Sequence, residues 1–139
     1  MIPKIESLMS KEICDIDAEK SVQDAAVKMA QNKIGSLLVI EDGDFVGIIT
    51  EVDIIRRVVA KQRMPEHTAI HAVMTSPLIT IKAEQTILEA NALMEARGLR
   101  HLPVTKFGRI VGVVSIRDFL HPIDIEETEE RSLEHAAAL

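Results

Sequence analysis

Slid along itself by 65 positions, the chain sets Met9 on Met74, and the two halves then run together without a gap. Identities follow at Ile16/Ile81, Ala18/Ala83, Glu19/Glu84, Ala25/Ala90, Met29/Met94, Leu37/Leu102, Val39/Val104, Gly43/Gly108, Val46/Val111, Gly47/Gly112 and Asp53/Asp118. Ser21/Thr86, Val22/Ile87, Ile48/Val113, Ile49/Val114 and Thr50/Ser115 are conservative pairs in the same register. Chance scatters its matches over many registers; a single shared one means two copies of one supersecondary unit.

Each copy carries the same local signals in the same order. A short apolar segment, Ile13–Ile16 or Leu78–Ile81, reads as a strand. Ser21 and Thr86 then look like helix N-caps, and Thr86 with Glu89 has the spacing of a capping box. Val22, Ala25, Ala26 and Met29 follow helical spacing, as do Ile87, Ala90, Leu93 and Met94. Two strand-like runs come next, Ser36–Ile40 with Phe45–Ile49 and His101–Thr105 with Ile110–Val114. Asp42-Gly43 between the first two is a hairpin signal, because glycine accepts positive φ. A second helix is expected over Glu51–Ala60, and over Ile116–Leu120 before Pro122 stops it. The unit is strand–helix–strand–strand–helix. At about 50 residues it is too small to bury its own sheet. The expected architecture is therefore α/β of the α+β type, with two repeats packed sheet-to-sheet about a pseudo-two-fold axis. Equivalent clefts between the copies are then the natural ligand sites. The sequence divides into repeat one, 1–64, repeat two, 65–121, and an acidic, Ala-rich tail, 122–139.

Composition narrows the functions. The 139 residues carry a formal net charge of −6 and no Trp or Tyr, with only three Phe. An acidic chain gains little from releasing counterions, and one without aromatic platforms cannot stack on single strands, so no nucleic-acid partner is expected. Cys14 is the only cysteine. That excludes an intrachain disulfide and suits a reducing, cytoplasmic compartment. The N-terminal residues lack a signal-peptide core, and no apolar run approaches the roughly 18 residues of a membrane helix.

The repeated marks resemble those of the CBS domain family: Leu8-Met9-Ser10 and Val73-Met74-Thr75, then Gly47-Ile-Ile-Thr50-Glu-Val-Asp53 and Gly112-Val-Val-Ser115-Ile-Arg-Asp118. The resemblance spans about residues 5–121. It implies a tandem pair, a Bateman module, of a kind that is mostly regulatory. Such pairs often bind AMP, ADP, ATP, S-adenosylmethionine or related ligands between the repeats, and commonly form homodimers.

Thr50 and Ser115 each stand where a strand ends and a helix begins, where free N–H groups favour an anion. Asp53 and Asp118 lie one turn on, and a carboxylate suits the paired hydroxyls of a ribose. The resemblance assigns them that role; helix capping is the plainer alternative. Arg100 and His101 resemble the family's basic entry to the second strand, with Arg as a fork for phosphate oxygens. Repeat one has uncharged Gly35 and Ser36 there, with Lys33 as a substitute, so the two clefts should differ in phosphate affinity. By family analogy, Arg100 and His101 could serve the cleft that holds Asp53. Adenine would lie between apolar side chains, with Ile13, Cys14, Ile16, Leu78, Ile79 and Ile81 as candidates, although plain core packing explains each of these singly.

Other features are set aside. His67 and His71 stand four apart without the further ligands a structural zinc needs. Arg56, Arg57, Lys61 and Arg63 read as a solvated helix face. Cys14 has no neighbouring base and reads as a buried thiol. No nucleophile–base pair or phosphate-cradling loop appears, so neither enzymatic activity nor a cofactor is expected. The leading expectation is a sensor for an adenine nucleotide that signals to a regulated protein partner. The alternatives are a homodimeric scaffold without a small ligand and an S-adenosylmethionine binder.

Overall fold

The computed structural model describes residues 1–120; the 122–139 tail and the expected stop at Pro122 lie outside them. The fold is mixed α+β, with two three-stranded sheets and few helices. Strands β1 (Asp15–Asp17), β2 (Ser36–Glu41) and β3 (Asp44–Thr50) form one sheet in that order; β4 (Ile81–Lys82), β5 (His101–Lys106) and β6 (Arg109–Ser115) form the other. In each, the first pair is parallel and the second antiparallel. Helix α1 (Val22–Asn32) crosses from β1 to β2, and α3 (Ile87–Arg97) from β4 to β5.

The local signals explain these elements. Both crossover helices begin with a full capping box. The Asp24 N–H donates to Ser21 Oγ at 3.0 Å while the Ser21 N–H donates to the Asp24 carboxylate at 3.3 Å. Thr86 and Glu89 repeat the exchange at 3.3 and 3.0 Å. Each helix ends on a left-handed residue, Lys33 (φ 55°) or Gly98 (φ 65°). The hairpins turn on two consecutive positive-φ residues, Asp42-Gly43 (52°, 83°) and Phe107-Gly108 (52°, 74°), as a two-residue loop between twisted strands requires.

The first strands are displaced from expectation. They begin at Asp15 and Ile81, not at Ile13 and Leu78. The apolar run marks burial, whereas a strand needs a ladder. The second copy is the shorter for a visible reason. The Leu38 N–H donates to the Cys14 carbonyl at 3.0 Å, but its counterpart is Pro103, which has no N–H to give.

The second helices also differ. Helix α2 is α-helical only over Glu51–Asp53 and continues as a π-helix, Ile54–Val59, in which the Ala60 N–H reaches the Ile55 carbonyl at 2.9 Å. The β-branched run Ile54-Ile55 and Val58-Val59 is a poor α-helix former. Its equivalent is a single 3-10 turn, Ile116–Phe119.

Two compact units result, Ile13–Ile79 and Met1–Glu12 with the described residues from Thr80 onward. These do not follow the repeat boundary at 64/65, because each unit is completed by a segment from the other repeat. In the unit Ile13–Ile79, the Ile70 N–H donates to the Lys20 carbonyl at 2.9 Å, the Val22 N–H to Thr68 at 2.9 Å, and Thr75 bridges Ile48. In the other, the Ile5 N–H donates to Gln85 at 2.7 Å, the Glu6 N–H to Ala83 at 3.0 Å, and Ser10 bridges Val113.

The core of Ile13–Ile79 joins Ile16, Ala18, Val22, Ala25, Met29, Leu37, Val39, Ile49, Val58, Ile70 and Val73. Most of the same positions of the second unit are buried: Ile81, Ala83, Ala90, Met94, Leu102, Val104, Val114 and, from the amino terminus, Ile5; Leu8 and Ile87, the counterparts of Val73 and Val22, are half-buried. Ile5 and Ile70 are a further identical pair in the 65-residue register, and both are fully buried. Among the described residues, no helix is long and apolar enough to cross a membrane.

Candidate functional site

The two strand-to-helix corners are built alike and furnished differently. In each, the last β-strand ends on a hydroxyl residue that caps the following turn. Thr50 is extended (φ −124°), and its Oγ1 accepts the Asp53 N–H at 3.2 Å. The Thr50 N–H returns a bond of 3.0 Å to Asp53 Oδ2. Ser115 is extended in the same way (φ −115°), and its N–H donates to Asp118 Oδ2 at 2.7 Å. The capping role of both pairs is therefore real, as the spacing allowed.

Beyond the cap the corners diverge. Asp53 is only 6% exposed. Thr75 Oγ1 donates to its Oδ1 at 3.2 Å and lies 3.4 Å from Oδ2; the Thr50 hydroxyl is 3.2 Å from Oδ2. The Arg57 Nε stands 3.7 Å from Oδ1. Arg57 also donates to the main-chain carbonyls of Val73 and Met74, both at 3.2 Å. Arg57 is therefore not part of a purely solvated basic face. Arg56, Lys61 and Arg63 remain exposed as expected. Thr75 and Arg57 are the residues that sequence reasoning missed at this site. The available signal was Thr75 itself, the hydroxyl that ends the repeated Met-Ser/Thr mark.

At the second corner Asp118 is half-buried, and among the described residues its carboxylate accepts one hydrogen bond, from Ser115. The counterpart of Thr75 is Ser10, whose hydroxyl accepts the Glu12 N–H at 3.3 Å. The β5–β6 register sets His101 directly opposite Ser115, and the Ile116 N–H donates to the Arg100 carbonyl at 2.9 Å. Arg100, His101, Ser115 and Asp118 are thus brought to one corner of one unit. The equivalent register in the other unit sets uncharged Ser36 opposite Thr50. Lys33 lies elsewhere, exposed at the left-handed end of α1.

The apolar candidates divide. Ile16 and Ile81 are core residues, 8% and 2% exposed, with little side-chain surface to offer a base. Cys14, a free thiol, packs against the core of its unit. Ile13, Leu78 and Ile79 are half-buried. His71 Nε2 lies 4.0 Å from a Glu19 carboxylate oxygen on the surface. Among the described residues, no group of three or more His, Cys, Asp or Glu is placed to hold a metal ion.

The motifs also have a steric basis. A β-carbon on Gly47 would come within 2.7 Å of Met74 Sδ and 2.8 Å of the Thr75 carbonyl oxygen. One on Gly112 would meet the Ser10 carbonyl oxygen at 2.5 Å and Met9 Sδ at 2.7 Å. The glycine of the second mark exists to let the Met-Ser/Thr of the first lie against it.

Comparison with known proteins agrees with this anatomy. The CBS domain family model matches residues 5–60 and 70–124. A CBS domain-containing protein of Arabidopsis thaliana, the mitochondrial CBSX3, is 35% identical over 117 residues, 81% of this chain; the chain spans 57% of that protein's length. An uncharacterized conserved protein from Pyrococcus horikoshii has a crystal structure that matches with a TM-score of 0.79 at 32% identity, covering 86% of this chain and 91% of that one. The CBS domain pair of protein MJ0100, solved with 5-methylthioadenosine and S-adenosyl-L-methionine, matches with a TM-score of 0.75 at 25% identity, over 86% of this chain and 94% of that one. Two copies of one strand–helix–hairpin unit, each with its glycine-backed Met-Ser/Thr mark and its hydroxyl–carboxylate corner, make this chain a tandem pair of the CBS domain family.

Proposed function

We propose that this chain is a regulatory module that binds an adenine nucleotide of the AMP, ADP or ATP class, does no chemistry on it, and signals the binding to a protein partner by a change of conformation. One observation carries the reading. The β5–β6 register brings His101 opposite Ser115, with Arg100 beside it and Asp118 one turn on. A nucleoside phosphate needs this set: a carboxylate to accept ribose hydroxyls, and a hydroxyl, a guanidinium and an imidazole to donate to phosphate. Within the unit Ile13–Ile79, the apolar candidates Ile13, Leu78 and Ile79 are half-buried, and Lys33 is the exposed cation that stands in for the missing basic pair. The adenosine-containing ligands of the MJ0100 pair support the same ligand class, and leave S-adenosylmethionine as the alternative ligand.

The test is calorimetric titration with AMP, ADP, ATP and S-adenosylmethionine of the protein and of its Asp53→Ala and Asp118→Ala variants. Saturable binding is expected. Asp118→Ala should weaken it about tenfold or more, the scale of a lost hydrogen bond to a charged group. Binding untouched by Asp118→Ala would remove the ribose assignment.

A second reading, a homodimeric scaffold, has its own observation. Ile55 and Val59 of the π-helix are each 61% exposed. Apolar side chains spaced four apart on a helix suit a partner surface. Sedimentation velocity should find a dimer; a monomer at all concentrations would sink the scaffold.

A further inference from the structure

Among the described residues, the clasp on Asp53 has no counterpart on Asp118. A ribose offers two hydroxyl donors, and a carboxylate has about four lone-pair positions to receive them. On Asp53 those positions are taken by the Thr50 N–H and hydroxyl, by the Thr75 hydroxyl facing both oxygens, and by Arg57 at longer range. Thr75 is the one alcohol among them that comes from outside the strand–helix corner. Chemically it does what a sugar hydroxyl would do. It is also held firmly in place. Its N–H donates to the Ile48 carbonyl at 2.8 Å and its carbonyl accepts the Ile48 N–H at 3.0 Å, while Arg57 grips the two carbonyls before it.

We propose that Thr75 decides which repeat takes the ligand, its hydroxyl acting as a built-in stand-in for the ribose that keeps the Asp53 carboxylate closed while Asp118 stays open. This rests on the ribose-binding reading of the two aspartates. The counterpart hydroxyl, Ser10, is turned to the Glu12 N–H and does not touch Asp118 among the described hydrogen bonds. The preference therefore follows from one side chain in each unit. One nucleotide per chain is the outcome, and a ligand at Asp53 must first displace Thr75.

The test uses the full chain and AMP as the probe. Three proteins are titrated: wild type, Asp118→Ala, and Asp118→Ala with Thr75→Val, which keeps the side-chain shape and removes the hydroxyl. Wild type should bind one AMP, Asp118→Ala should bind it at least tenfold more weakly, and adding Thr75→Val should recover binding by about tenfold or more, since a competing hydrogen bond to a charged group has been removed. Thr75→Ser, which restores a hydroxyl, should return the double variant to its weak state; a purely structural threonine has no reason to make affinity rise on its loss. Thermal melting checks folding, and Thr75→Ala replaces the valine variant should that one fail to fold. If wild type binds but loss of the Thr75 hydroxyl gives no gain, the clasp proposal falls and the ribose reading stands. Full affinity in Asp118→Ala alone would likewise overturn the clasp. No AMP binding by folded wild type, with or without Thr75→Val, overturns the ribose reading and the clasp with it.

Discussion

Gly47 and Gly112 show how little room a repeated motif leaves. Each sits in the middle of its hairpin's second strand, where the Met-Ser/Thr segment comes against its backbone. Neither has a positive φ. Their glycine identity is a matter of space, not of backbone freedom. The obstruction includes a main-chain oxygen in both cases, which cannot move as a methionine side chain can. Gly47→Ala and Gly112→Ala should therefore each destabilise the fold by about 1–3 kcal/mol, the usual scale of overpacking. Chemical denaturation would read this directly, and an unchanged midpoint in either would mean that the close approach is not maintained in solution. The same residues show what was legible in the sequence. Gly47, Thr50 and Asp53 stand out because their types repeat at fixed spacing. The clasp by Thr75 and Arg57 does not, because it depends on side-chain directions that spacing leaves open, and because the position equivalent to Arg57 is Pro122. Asp53 and Asp118 look identical in sequence; their neighbours in space make them different.

At the scale of elements, the hairpins and crossover helices were legible because their signals are local. A left-handed glycine and a capping hydroxyl act within a few residues. The first strands were legible in place but not in extent. Apolar character located them, while the length of a ladder depends on the partner strand, as Pro103 illustrates by withholding the N–H that Leu38 supplies. The second helices depart furthest. A helical period predicts burial of one face, and Val58 is indeed fully buried. It does not distinguish α from π winding. The π segment coincides with the stretch in which Arg57 reaches across to Val73 and Met74, and such segments are frequent where a helix serves a site.

At the scale of the molecule, repeat and compact unit are different divisions of one chain. The 65-residue register was plain in the sequence, but the exchange of leading segments was not, since either repeat could have kept its own. Its energetic weight is concentrated in fully buried Ile5 and in the bridge from Ser10 to Val113, whose N–H donates to the Ser10 carbonyl at 3.0 Å. A chain that starts at Ile13 should lose the burial of one large aliphatic side chain, about 2–5 kcal/mol by the scale of core truncations. Hydrogen exchange should find the Val113 amide unprotected in that shortened protein while Ile48, paired with Thr75, stays protected. Equal protection at Val113 in both proteins would show that the segment is dispensable to its sheet.

The exchange also sets an order of events on the ribosome. Residues 1–12 are made before the unit they complete, because their partners run from Ala83 to Val113. The middle of the chain, by contrast, is complete once Ile79 has been made. Ile5 and Met9 must therefore wait as an apolar leader, held through the synthesis of a whole folded neighbour. Contacts that close so late and so far apart in the chain form slowly. Until Val113 has been made, the Ser10 main chain lacks the partner it pairs with, and a second nascent chain nearby offers it the same one.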